Sequence, residues 1–115
     1  MTSLLIQIQP DRSPTINMEA LTELFQSIAA SSMWVRGHSF DSGYDGGRYY
    51  NFRFETDHPA ALWALIQERI FHAPGHQQQM AEAAMAICSG ERGWDDYLQL
   101  CHWDPKVPVV AVPAL

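Results

Sequence analysis

Arg48-Tyr49-Tyr50-Asn51-Phe52-Arg53-Phe54-Glu55 is the stretch that sets the fold. On an extended backbone Tyr50, Phe52 and Phe54 fall on one side, and Tyr49, Asn51, Arg53 and Glu55 on the other. That is the period-two pattern of a half-buried strand. Immediately before it, Asp41-Ser42-Gly43-Tyr44-Asp45-Gly46-Gly47 is a turn cluster with three glycines. Met33 to Phe40, before that, is rich in β-formers. Strand, loop and strand read as a hairpin, its seven-residue loop longer than the commonest hairpin turns.

Working outward, Leu4 to Gln9 alternates in the same way, with Leu4, Ile6 and Ile8 on one face. Asn17 is placed to cap a helix that begins at Met18, with Glu19 in its first turn. Met18, Leu21, Leu24, Phe25 and Ile28 recur at helical spacing until Ser31 and Ser32 end the pattern. Beyond the hairpin, Asp57 and Pro59 suit a helix start, and Leu62, Leu65, Ile66 and Ile70 supply its core stripe. Ala73-Pro74-Gly75 breaks that helix. A further helix is expected over about Gln77 to Cys88, closed by Ser89-Gly90. A last strand is expected over Tyr97 to Trp103, stopped by Pro105. The expected order is β-α-β-β-α(α)-β. This is the split βαβ order of an α+β, ferredoxin-like sandwich, with a four-stranded antiparallel sheet covered by helices on one face.

The chain has 115 residues, 47% of them apolar, and 17% charged. That composition folds as one domain, expected over residues 1–104, followed by an extended, apolar, proline-containing tail over 105–115. Seven basic against thirteen acidic residues give a net charge of −6. This disfavours nucleic acid or an anionic membrane as the main partner. The aromatic hairpin strand is similar in outline to the base-stacking strand of RNA-binding sheets. Tyr49 and Asn51 stand where that pattern wants small residues, so the strand reads as core-facing instead. The N-terminus has no basic start, its apolar run breaks at Gln7, and no stretch approaches the roughly 20 apolar residues of a membrane span. The expected compartment is the cytoplasm, where Cys88 and Cys101 stay reduced.

No catalytic constellation stands out. The glycines of the hairpin loop form neither a dinucleotide fingerprint nor a P-loop, and Phe52 occupies the place a calcium loop reserves for its bidentate carboxylate. His72 and His76 are separated by Pro74-Gly75, which forbids a shared helix face, and no spacing of histidines and cysteines matches a zinc site. No cofactor or metal is expected, and the chain reads as more suited to binding than to catalysis.

Gly93-Trp94-Asp95-Asp96-Tyr97 sets two carboxylates between two amphipathic aromatics, and His102-Trp103-Asp104 repeats the mixture. Aromatics anchor interfaces, and clustered aspartates suit a basic protein through charge-assisted hydrogen bonds. The expected contact residues are Trp94, Asp95, Asp96, Tyr97, Trp103 and Asp104, joined by Asp41, Tyr44 and Asp45 of the hairpin loop. A small acidic chain of this kind has the make-up of an inhibitor or immunity-type protein that occludes a basic partner. The alternative is a dimer packed through its sheets that holds a small molecule or substrate on the hairpin face, using Arg36, His38, Tyr49 and Arg53.

Overall fold

Leu4, Ile6 and Ile8 are each fully buried, while the residues between them are half-exposed. The alternation read from the sequence is thus the alternation of β1 (Thr2–Ile8), the central strand of the protein. The computed structural model describes residues 1–90 and 93–112, with side chains except at 93–95. Its other strands are β2 (Gly37–Tyr44), β3 (Arg48–Thr56), β4 (Ala84–Gly90) and β5 (Gly93–Cys101). They form one antiparallel sheet in the order β2-β3-β1-β4-β5. The helices are α1 (Met18–Ser31), α2 (Pro59–Ile66) and α3 (Gln77–Ala83). A 3-10 turn, Pro10–Arg12, follows β1, and a π-helical turn, Gln67–Phe71, extends α2.

The α+β class is as expected, but among the described residues the sheet has five strands and not four. The difference lies at Gln77 to Cys88, expected to be helix throughout. The helix stops at Ala83, and Ala84 turns extended at φ −111° and ψ 148°. Residues from Ala84 then pair with β1, from Ile8↔Ala84 to Leu4↔Cys88. The physical reason is hydrogen bonding. With β3 on one side only, the backbone of the buried β1 would leave a row of amides and carbonyls unpartnered, which costs more than a helical turn gains. The last strand also begins earlier than expected, at Gly93, ends at Cys101, and pairs antiparallel with β4.

α1 forms where the sequence places it. The Asn17 side chain accepts a hydrogen bond from the Ala20 amide at 3.0 Å, and Leu21, Phe25 and Ile28 are buried. Phe25 stacks on Phe52 with ring centroids 4.2 Å apart, which fixes α1 over β3. Truncating such a buried aromatic costs about 3–5 kcal/mol. Asp57 does not cap α2. It pairs with Arg36 at 3.0 Å, and the turn into α2 is held instead by the Thr56 hydroxyl, which accepts from the His58 amide at 2.9 Å.

β2 starts at Gly37, later than expected, and runs through Tyr44 into what reads as loop. The turn is therefore short, with Asp45 N–H bonded to Gly47 O at 2.9 Å around Gly46 at φ +69°, where glycine is strain-free. At the opposite edge Val110 of the tail lies beside β5. Val110 N–H donates to Gln99 O at 2.9 Å, and Val112 packs against the core. Among the described residues, no helix is long and apolar enough to cross a membrane.

Candidate functional site: an acidic groove beside the hairpin

The registers divide the expected contact residues between the two ends of the sheet. Tyr50 of β3 faces Ile8, and Ile8 faces Ala84, so the β2–β3 turn lies at the end where β1 finishes. The Gly90–Gly93 pair of β4 and β5 lies at the other end, beside the start of β1. Tyr44 and Asp45 are therefore at one end, and Asp96 near the other. Gly90 packs so closely on the Asp96 backbone there that a Cβ would overlap it. Tyr97 is exposed on β5. The side chains of Trp94 and Asp95 lie outside the described residues.

Trp103 and Asp104 follow β5 and return to the end of the sheet that carries the hairpin turn. Arg12 lies over the Trp103 ring at 4.1 Å, and His102 packs on the same indole at 4.3 Å. Asp104 is spent on its own turn. Its carboxylate accepts from the Lys106 amide at 2.9 Å, and its amide donates to His102 Nδ1 at 2.9 Å. The neighbouring Asp11 clasps the hairpin by accepting from Arg48, from the amide at 3.2 Å and from the guanidinium at 3.3 Å. These bonds, the backbone one foremost, hold the Asp11 carboxyl below its ordinary value of 3.8.

The four residues of the alternative site do not converge. His38 is the register partner of Phe54 and so lies on the helix-covered side, against Phe40 at 5.2 Å. Arg36 is engaged with Asp57. Tyr49 and Arg53 lie on the open face, and the Tyr49 ring covers Gly43, its partner across the strands. Asp41 is also on that face, at the end of a row of side-chain hydrogen bonds. Arg12 donates to Gln9 at 2.7 Å, Gln9 to Gln7 at 2.9 Å, Gln7 to Asn51 at 3.0 Å, and Asn51 to Asp41 at 3.0 Å.

One concave feature collects acidic and apolar groups together. Between α1 and β3 a groove of about 440 Å³ is lined by Met18, Glu19, Thr22, Glu23, Gln26 and Tyr50. It adjoins a second hollow of about 320 Å³, bounded by Ile16, Pro14 and the Asp11–Arg48 clasp, through their shared Met18 and Tyr50. Glu19 and Glu23 are one helical turn apart and carry the same charge, an arrangement that mildly destabilises a helix by itself. Neither residue stands out as a contact in the sequence. Their spacing of four, on the face away from Leu21 and Phe25, is the signal that would have found them.

Neither cysteine is poised as a nucleophile. Burial pushes the Cys101 thiol up to about 12 and raises that of Cys88, so both hold their protons at neutral pH. Among the described residues, no three histidine, cysteine or carboxylate side chains come together to hold a metal ion. Comparison of the chain with family models, with curated proteins and with solved structures returned no match.

Proposed function

We propose that this protein is a small acidic binding module that takes the basic side chains of a protein partner into the groove between α1 and the β2–β3 hairpin. The observation that carries the reading is the groove's lining, where two carboxylates flank a tyrosine and a methionine and, among the described residues, no lysine or arginine takes part. An arginine or lysine stem packs on Met18 and Tyr50, while its charge meets Glu19 and Glu23. The tyrosine face adds a cation–π attraction of about 0.5–1 kcal/mol at an exposed site. Tyr44 at the end of β2 and Asp45 on the adjoining turn extend the surface. Trp103 continues it on the far side of the Pro10–Arg12 turn. The net charge of −6 steers a basic partner towards the protein and makes association fastest at low salt.

In this reading the protein acts by occlusion, as an inhibitor or immunity-type protein does, and the cytoplasm is its place of action. The fold belongs with it as a ferredoxin-like sandwich to which one strand has been added. The neighbour order β2-β3-β1-β4, with α1 after β1 and the remaining helices after β3, supports that assignment.

The test is a nuclear magnetic resonance titration of the full chain with short arginine- and lysine-containing peptides at low and high salt. Saturable shifts at Glu19, Glu23 and Tyr50 that weaken with salt, and that vanish in the Glu19→Lys, Glu23→Lys double variant, are expected. Shifts that are absent, or that centre on Asp96 and Tyr97 and survive the double variant, overturn the assignment.

A further inference from the structure

Two irregularities of the backbone meet at a cavity on the other side of the helical layer. The first is the π-helical turn Gln67–Phe71, closed by a bond from His72 N–H to Gln67 O at 2.8 Å. Wide turns of this kind are rare and frequently occur at functional sites. The second is in β5. Ala86 faces Cys101, but the next residue of β4, Ile87, faces Gln99, so β5 carries one extra residue there. Such bulges re-aim the side chains beside them. Regular pairing would set Cys101 on the same side as Gln99, on the open face. The bulge makes it the partner of Ala86, on the helix-covered side.

The cavity between these two features has a volume of about 290 Å³. Trp63 and Phe71 form one wall, packed edge to face at 5.1 Å, and Met80 contributes to the same lining. Cys101 lines it as a neutral thiol. The remaining polar groups are the amides of Gln67 and Gln77 and the imidazoles of His72 and His102. His102 Nδ1 accepts from the Asp104 amide, which leaves its Nε2–H as a donor. Among the described residues, no aspartate, glutamate, lysine or arginine lines the cavity. An apolar hollow with a few amide and imidazole groups is the general form of a small-molecule site.

We propose that this cavity binds a neutral, flat, bicyclic heteroaromatic molecule that carries a hydrogen-bond acceptor. The size argument is direct, because a dry cavity of about 150 Å³ holds one benzene ring, and this one is nearly twice as large. The aromatic walls supply edge and face contacts, the side-chain amides and imidazoles read the heteroatom, and the missing charges select against ionised ligands. The site is separate from the acidic groove and stands or falls independently of it.

The experiment is a titration of the full chain with quinoline and indole as probes and naphthalene-2-sulfonate as the charged control, followed by amide shifts. Saturable shifts are expected at residues 67–72 and at 101–102, strongest for quinoline and absent for the sulfonate. Ala81→Phe, at an exposed position on α3 that borders the cavity, should fill it and weaken quinoline at least tenfold with no loss of thermal stability. Gln67→Ala should reduce the preference for quinoline, whose ring nitrogen accepts, over indole, whose N–H only donates. No saturable shift for either neutral probe, shifts outside the cavity, equal binding by the sulfonate, or unchanged binding by Ala81→Phe would overturn the proposal.

Discussion

The ring of Tyr49 occupies the space that a side chain at Gly43 would fill, so that a Cβ there would stand 2.6 Å from the tyrosine Cζ. The two are register partners on β3 and β2. The ring thus repairs the weakness that a glycine brings to an edge strand. Gly43→Ala should cost about 0.2–1 kcal/mol, the scale of one cross-strand pair, because the ring must swing away. In a Tyr49→Ala background the same substitution should cost almost nothing or stabilise. Urea unfolding of the four-member cycle checks this, and additive effects would refute the coupling.

The two helix starts make a contrast. Asn17→Ala removes the acceptor of the Ala20 amide and should cost about 1 kcal/mol. Asp57→Ala breaks only an exposed ion pair with Arg36 and should cost less than about 0.5 kcal/mol. Equal losses in thermal unfolding would show that Asp57 acts as a cap after all.

Asp11 and Arg48 give the turn of the hairpin a pH dependence with a definite sign. The carboxyl sits below its ordinary value of 3.8 in the folded protein, so the clasp is intact above that value and is lost as the pH falls through the lower, folded one. The Arg48 amide resonance should titrate below 3.8 and stop titrating in Asp11→Asn. A midpoint at or above the ordinary value would show that the clasp does not hold the hairpin.

Cys101 works in the opposite direction. Its folded value is about 12 against an ordinary 9.0, so the unfolded chain ionises first as the pH rises. Stability is then full below pH 9.0 and declines towards pH 12. The slope contributed by one such thiol is at most about 1.4 kcal/mol per pH unit. Cys101→Ala should flatten the alkaline decline relative to the wild type in urea titrations at several pH values. An unchanged slope would place the cause elsewhere.

Much of the fold is legible in the sequence because two periodicities announce it. Leu4, Ile6 and Ile8 mark β1, Tyr50, Phe52 and Phe54 mark the inner face of β3, and Leu21, Phe25 and Ile28 mark α1. The segment that misleads is Met80, Ala84 and Ile87, whose helical spacing competes with the alternation of Ala84, Ala86 and Cys88. Alanine favours a helix by propensity, and only the demand of β1 for a second neighbour decides in favour of the strand. The groove was half-legible. Met18 is visible as part of the α1 stripe and Tyr50 as part of β3, but their meeting is tertiary. The β-bulge that turns Cys101 inward has no signal in the sequence, since Gln99, Leu100 and Cys101 alternate as any strand would.

The side-chain row from Arg12 to Asp41 has a direction. A guanidinium can only donate and an ionised carboxylate can only accept. Gln9, Gln7 and Asn51 between them must therefore each turn the oxygen towards Arg12 and the nitrogen towards Asp41, as they do. The terminal charges thus choose one setting for three amides that could each point either way. Exchanging the two end groups would reverse every amide in turn and leave the strands beneath in place, so the polarity of this face is written at its margins and not in its middle.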